Sequence, residues 1–191
     1  LSGRDFVNFL DRKVLTREIV EQFLADDSWN FAGFKAIEDE AAEELAKYDK
    51  GLYIYHLREL SDAAADSLSK HEGDFLWLDS LPSLSDAAAE SFSKYKGGLR
   101  LAGLTELSDA AAESLSKHEG GELRLHGLTE LSVAVAKSLS THMGGLGLGG
   151  LTELSDEVAE ILSAHMGDWL WLDLDNLPES AAKILRDAGH E

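Results

Sequence analysis

The segment LRLAGLTELSDAAAESLSKHEGG, Leu99–Gly121, decides the fold because the chain repeats it. LRLHGLTELSVAVAKSLSTHMGG follows from Leu123 and LGLGGLTELSDEVAEILSAHMGD from Leu146. LYIYHLRELSDAAADSLSKHEGD and LWLDSLPSLSDAAAESFSKYKGG precede it, from Leu52 and Leu76. A degenerate copy, WNFAGFKAIEDEAAEELAKYDKG, begins at Trp29, and a last strand at Leu170. Successive starts lie 23 or 24 residues apart, the self-similarity of a repeat architecture.

Within one copy, Leu99, Leu101 and Leu104 sit in a short alternating segment after the pair Gly97 and Gly98, which predicts a strand. Ser108 is placed to cap a helix and Asp109 to face its positive end. Leu107, Ala111, Ala112 and Leu115 then share one helical face. A strand followed by a helix, repeated in one direction, requires parallel strands. Strands stack about 4.8 Å apart and helices about 8–10 Å, so the array must bend with its sheet on the inside. The expected fold is therefore α/β: a curved solenoid with a parallel sheet inside and helices outside. The alanine triplets Ala63–Ala65, Ala87–Ala89 and Ala110–Ala112 are expected to bring the helices closer and moderate the bend.

The LxLxxL strand, the period and the following helix resemble leucine-rich repeats, specifically a bacterial leucine-rich-repeat-like variety, over roughly Trp29 to Leu185. The asparagine usual in that family is replaced by Phe34, Leu57, Leu81, Leu104, Leu128 and Leu151. The resemblance implies a right-handed horseshoe that recognises a partner on its concave sheet, without catalysis or cofactor. A single domain over 1–191 is expected, with a helical N-terminal cap in 1–28, seven strand-bearing repeats in 29–173 and a C-terminal cap helix in 174–191. FVNFLDRKVLTREIVEQFLADD, from Phe6, reads as one or two amphipathic helices with Thr16 as an N-cap. NLPESAAKILRDAGHE reads as the closing helix, with Pro178 in its first turn and Lys183 and Arg186 late.

A formal charge of -19 over 191 residues opposes attraction to nucleic acid and to anionic lipid. Many acids, Asp62, Asp66, Asp86, Glu90, Asp109 and Glu113 among them, fall on the expected solvent side of helices. The sequence has no cysteine, which excludes disulfides and thiolate chemistry and leaves the compartment open. No apolar run approaches the roughly 18 residues of a membrane span. A start at Leu1 without methionine suggests a trimmed or processed N-terminus. A monomer is expected.

Several catalytic patterns dissolve into the repeat. GLGLGG, Gly145–Gly150, has the spacing of a dinucleotide-binding loop but occupies an expected strand rather than a strand-to-helix turn. SLSK at Ser67 and Ser114 matches an acyl-transfer motif, yet both copies fall at one repeat position near a helix end. His71, His118, His142 and His165, with Tyr48 and Tyr95 in register, suggest ring hydrogen bonds to helix-end carbonyls rather than metal ligation. No catalytic residue or metal ligand is expected.

Function is sought where the repeats differ. If the first two leucines of each strand point inward, the position between them faces outward and reads Asn30, Tyr53, Trp77, Arg100, Arg124, Gly147 and Trp171. The position after the second leucine reads Ala32, Tyr55, Asp79, Ala102, His126, Gly149 and Asp173. The one before the strand reads Ser28, Gly51, Phe75, Gly98, Glu122, Gly145 and Trp169. Tyr53, Tyr55, Trp77, Asp79, Arg100, Arg124, His126, Trp169, Trp171 and Asp173 are the candidate binding residues, since Trp, Tyr and Arg dominate binding hot spots. An alternative role for Trp169 and Trp171 is to shield the last strand beneath the closing helix.

Three functional readings follow. The leading one is a non-catalytic module binding a peptide or protein segment along seven strands, about 29 Å of floor. Carbohydrate or small-molecule binding on a floor lowered by Gly147 and Gly149 is the second, and a structural spacer the third. Glycoside hydrolysis is disfavoured because Asp79 and Asp173 lie about 19 Å apart by strand spacing.

Overall fold

The computed structural model describes residues 14–25, 31 and 33–190. The expected helix from Phe6 lies largely outside them, as do Ser28, Trp29, Asn30 and Ala32. The elements run β1 (Val14–Leu15), α1 (Arg17–Ala25), β2 (Ala36–Ile37), α2 (Asp39–Leu45), β3 (Leu52–Tyr53), α3 (Asp62–Leu68), β4 (Phe75–Trp77) and α4 (Asp86–Phe92). They continue through β5 (Gly98–Arg100), α5 (Asp109–Leu115), β6 (Glu122–Arg124), α6 (Val133–Leu139), β7 (Gly145–Gly147), α7 (Asp156–Ser163) and β8 (Trp169–Trp171). A 3-10 turn (Leu174–Asn176) and α8 (Glu179–Asp187) complete the order.

The repeat produces the architecture that its pattern predicts at the level of α/β class. Strands β3 to β8 form one parallel sheet in chain order, alternating with helices in a solenoid-like array. The register is leucine on leucine: Leu52 opposes Leu76, then Leu99, Leu123, Leu146 and Leu170 in turn. Just past each strand, the N–H groups of Ile54, Leu78, Leu101, Leu125 and Leu148 donate to the carbonyls of Trp77, Arg100, Arg124, Gly147 and Trp171 on the next strand. The sheet therefore continues beyond the formal strand ends.

Leu52 with Ile54 and the leucine pairs of the five later strands are buried, as are Leu57, Leu81, Leu104, Leu128 and Leu151. On the helices, Ala64 and Ala65, Ala88 and Ala89, and Ala111 and Ala112 are buried. The first alanine of each triplet, Ala63, Ala87 or Ala110, is exposed, so two alanines per helix serve the packing rather than three. Close approach also sets the glycines between helix and strand. A Cβ on Gly144 would lie 1.6 Å from the carbonyl oxygen of Gly121, and one on Gly120 1.9 Å from that of Gly97.

The ends are built from the same unit. β1 pairs in parallel with β2, and Ala36 of β2 bridges to Glu59 just before α3, forming a second strip on the helix-entry side. The residues preceding the helices are Thr16, Glu38, Ser61, Ser85, Ser108, Ser132, Ser155 and Pro178, spaced 22 to 24 apart. α1 packs on α2 and α8 on α7, so the helices expected as caps stand in register with the array. Among the described residues, no helix is long and apolar enough to cross a membrane.

Two side-chain columns join successive repeats. Ser61, Ser85, Ser108, Ser132 and Ser155 each accept the N–H three residues on, the N-cap bond expected of Ser108. The hydroxyls of the first four also donate to Asp39, Asp62, Asp86 and Asp109, the acid at the same place one repeat earlier. Val133 breaks the ladder before Ser155.

The second column is the ring series at the helix ends. Tyr95 Oη donates to the Gly73 carbonyl at 2.7 Å. His142 Nδ1 lies 3.4 Å from the Ser116 carbonyl and His165 Nδ1 3.2 Å from that of Ser140, each the carbonyl at the end of the preceding helix. His190 Nε2 continues the pattern at Ser163, 3.2 Å away. The expected helix-end role thus holds for His142 and His165, crossing from one repeat to the previous one, whereas Tyr95 reaches a carbonyl in the loop beyond the preceding helix. His71 and His118 are buried without a well-formed ring hydrogen bond and pack instead against Tyr95, His71 stacked and His118 tilted, each about 6 Å away between ring centres. The lysines of the SLSK motifs, Lys70 and Lys117, bond Asp66 and Glu113 one helical turn back.

Candidate functional site

The face of the sheet opposite the helices carries the side chains that differ between repeats, and it divides into two neighbourhoods. Over β3 and β4, Trp77 stands at the centre of an aromatic group. Its ring meets Tyr53 edge-on at 4.9 Å, Tyr55 at 6.0 Å and Phe75 at 6.2 Å. Tyr53 and Phe75 are 39% and 36% exposed, whereas Trp77 is half-buried by these neighbours. The Arg100 guanidinium lies 4.8 Å from the Trp77 ring centre, a cation–π contact. Its Nε is also 2.8 Å from Asp79 Oδ1, an ion pair whose N–H is not well aimed at the oxygen. Burial pushes the Asp79 carboxyl above its ordinary range, and the Arg100 charge works against that shift.

Over β6 to β8 the face opens into a hollow of about 510 Å³, lined by Arg100, Arg124, His126, Trp169, Trp171 and the backbone of Gly149 and Gly150. Trp169 and Trp171 are 39% and 49% exposed, while Leu170 between them is buried, as strand alternation requires. Arg124 bonds Glu122 through Nε, and its guanidinium carbon lies 5.9 Å from the Trp169 ring centre. His126 meets Trp171 edge-on at 4.8 Å. The Gly149 N–H donates to His126 Nδ1 at 3.2 Å, so the neutral ring carries its hydrogen on Nε2. Burial, reinforced by Arg124 and Arg100 and opposed by Glu122, lowers the His126 pKa.

Of the glycine floor expected from Gly147 and Gly149, Gly147 is covered, while Gly149 borders the hollow beside a ring. A Cβ on Gly149 would meet the Trp171 ring at 2.2 Å, and one on Gly147 would meet His126 Cε1 at 2.5 Å. Gly145 is covered in the same way, with Trp169 Cε2 2.0 Å from where its Cβ would stand. The glycines make room for rings from neighbouring strands, and the hollow lies beside those rings. Of the ten candidate residues, Arg100, Arg124, His126, Trp169 and Trp171 share the hollow, and Arg100 joins it to Tyr53, Tyr55, Trp77 and Asp79. Asp173 departs from the group. It accepts from Asn176 Nδ2 at 2.6 Å at the start of the 3-10 turn, beside a separate hollow at the end of the array.

Compared with models of known families, with curated proteins and with solved structures, the chain matches none. The site is therefore read from its own residues.

Two residues belong to the site beyond the ten. Glu122 precedes Arg124 by two, so both side chains leave the same face of one strand, and Phe75 bears the same relation to Trp77. The column before the strand carried the signal, since Phe75 and Glu122 stand where Gly51, Gly98 and Gly145 recur. Among the described residues, no group of three or more His, Asp or Glu side chains is arranged to hold a metal ion.

Proposed function

We propose that the chain is a leucine-rich-repeat-like solenoid, right-handed and horseshoe-shaped with its sheet concave, and that it is a non-catalytic module recognising an extended peptide or protein segment on that face. The observation that carries the reading is the pair of exposed aromatic groups, Tyr53 with Phe75 on one side and Trp169 with Trp171 on the other, flanking Arg100 and Arg124. This is the composition of interaction hot spots, and it occurs at positions that differ from repeat to repeat. Six strands give five spacings, about 24 Å, the length of roughly seven extended residues. The charge of -19 disfavours nucleic acid as the partner.

The hollow supports a second reading, a carbohydrate or small molecule stacked on Trp171, whose ring borders a volume within the range of small-ligand sites. Parallel peptide and glycan arrays separate the two. The peptide reading expects capture by peptides, weakened by at least about 1 kcal/mol in Trp171→Ala and in Arg124→Ala. Capture by glycans alone would replace it with the second.

A further inference from the structure

The hollow over β6 to β8 has a chemical bias that the face as a whole lacks. Its ionisable lining consists of Arg100, Arg124 and His126, with no carboxylate in the wall. The acids that accompany the arginines, Asp79 and Glu122, engage them at Nε from outside that lining. Among the described residues, no hydrogen bond uses the terminal Nη groups of either guanidinium. An arginine held at Nε and free at Nη is already ordered for a bidentate bond to an oxyanion. His126 adds a donor, because the Gly149 N–H occupies Nδ1 and leaves the hydrogen on Nε2. Trp169 and Trp171 supply apolar wall beside these donors.

We infer that this hollow is an anion-anchoring subsite, and that the group it takes is the carboxylate of an aspartate or glutamate in the bound peptide. The inference rests on the peptide reading and narrows it. The shared chemistry is that of a compact oxyanion, and net charge selects the carboxylate over a phosphate. A chain at -19 repels a dianion more strongly than a monoanion, and the helix acids that carry much of that charge lie across the sheet, where screening over about 8 Å weakens their effect at physiological salt. The apolar stem of the acidic residue would lie against Trp171, the most exposed aromatic of the group.

The test uses the whole chain and three soluble probes: N-acetylglutamate amide, its neutral isostere N-acetylglutamine amide, and inorganic phosphate. Nuclear magnetic resonance follows the indole N–H of Trp169 and Trp171 and the Nε–H of Arg124 during each titration. The expected result is a saturable shift with the glutamate probe, an affinity at least roughly tenfold lower for the glutamine probe and in Arg124→Gln and Arg100→Gln, and weakening with added salt. Thermal melts of the two variants confirm that each remains folded. Equal shifts with glutamate and glutamine, a response to phosphate without one to glutamate, or undiminished binding by both folded variants would each overturn the inference. Peptides that bind the face with no preference for an acid would overturn it while leaving the peptide reading standing, whereas capture by glycans alone would remove the peptide reading itself.

Discussion

Ser108 Oγ accepts the Ala111 N–H of its own helix and donates to Asp86 of the preceding repeat. One hydroxyl thus caps a helix and ties two repeats together, and it does so at a position where the sequence suggests only the cap. Ser155 makes the cap bond alone, because Val133 stands where its acid would be. Ser108→Ala is expected to cost about 1 kcal/mol for the cap and roughly 0.5 kcal/mol more for the lost bond to Asp86. Ser155→Ala should cost the first part only. Paired thermal melts resolve the difference, at about 2–4 °C per kcal/mol for a chain of this size. Equal losses would mean that the inter-repeat bond contributes nothing.

Leu101→Asp places an unpaired charge between sheet and helix, at a site with no solvent exposure, and should unfold the array or lower its melting temperature severely. Arg124→Ala, on the opposite face of the sheet, should stay within about 0.5 kcal/mol of the parent. Trp77→Ala falls between them. Its ring packs against Tyr53, Tyr55 and Phe75, and aromatic pairs contribute about 0.5–1.5 kcal/mol each, so a moderate loss is expected although the residue lies outside the core. Urea titrations rank the three, and a parent-like midpoint for Leu101→Asp would put the strand register off by one.

Gly145→Ala and Gly149→Ala introduce a methyl into space held by the Trp169 and Trp171 rings. The obstacle in each case is the far end of a side chain, so the ring swings out and stability falls by less than about 1 kcal/mol. Tryptophan emission should shift to the red as the displaced indole enters water. An unchanged spectrum in both variants would contradict the ring positions.

Burial lowers the pKa of His71 and His142, and it lowers that of His118 to about 4. A histidine depressed in the folded state stabilises the fold fully above its unfolded value of 6.5, and that contribution is lost as the pH falls toward the folded value. The window for His118 is therefore from about 6.5 down to about 4. Tyrosine already serves in this column at Tyr95, so His118→Tyr provides a control that does not titrate there. Melting temperatures at pH 7, 5.5 and 4.5 should move in favour of the tyrosine variant as the pH falls. Comparing the two proteins cancels the carboxylates common to both, and a difference independent of pH would rule out the histidine column as the cause.

Much of the scaffold is legible in the sequence because it depends on contacts within one repeat. Leu99, Leu101 and Leu104 announce a strand, Ser108 and Asp109 a helix start, and the alternation of Leu99, Arg100 and Leu101 assigns the two faces. What stays hidden depends on the distance between repeats. The Asp79–Arg100 pair, the Ser108–Asp86 bond and the rings over Gly145 and Gly149 each join residues 20 or more apart, and no local pattern says which neighbour a long side chain leans toward. The membership of α1 in the array is hidden for a different reason. Thr16 replaces the recurring serine, so the period continues there without its most visible residue.

The central claim is that the face of the sheet bearing Trp77, Arg100, Arg124, Trp169 and Trp171 is the recognition surface and that the helical layer is scaffold. Selection of peptides from a random displayed library tests it most directly when each pool is counted on the parent chain and on a folded variant with Arg100, Arg124, Trp169 and Trp171 all changed to alanine. The account predicts enriched peptides that bind the parent, carry Asp or Glu above its frequency in the library, and lose at least roughly tenfold in affinity on the variant. Peptides that bind both proteins equally would place recognition elsewhere on the array and contradict it.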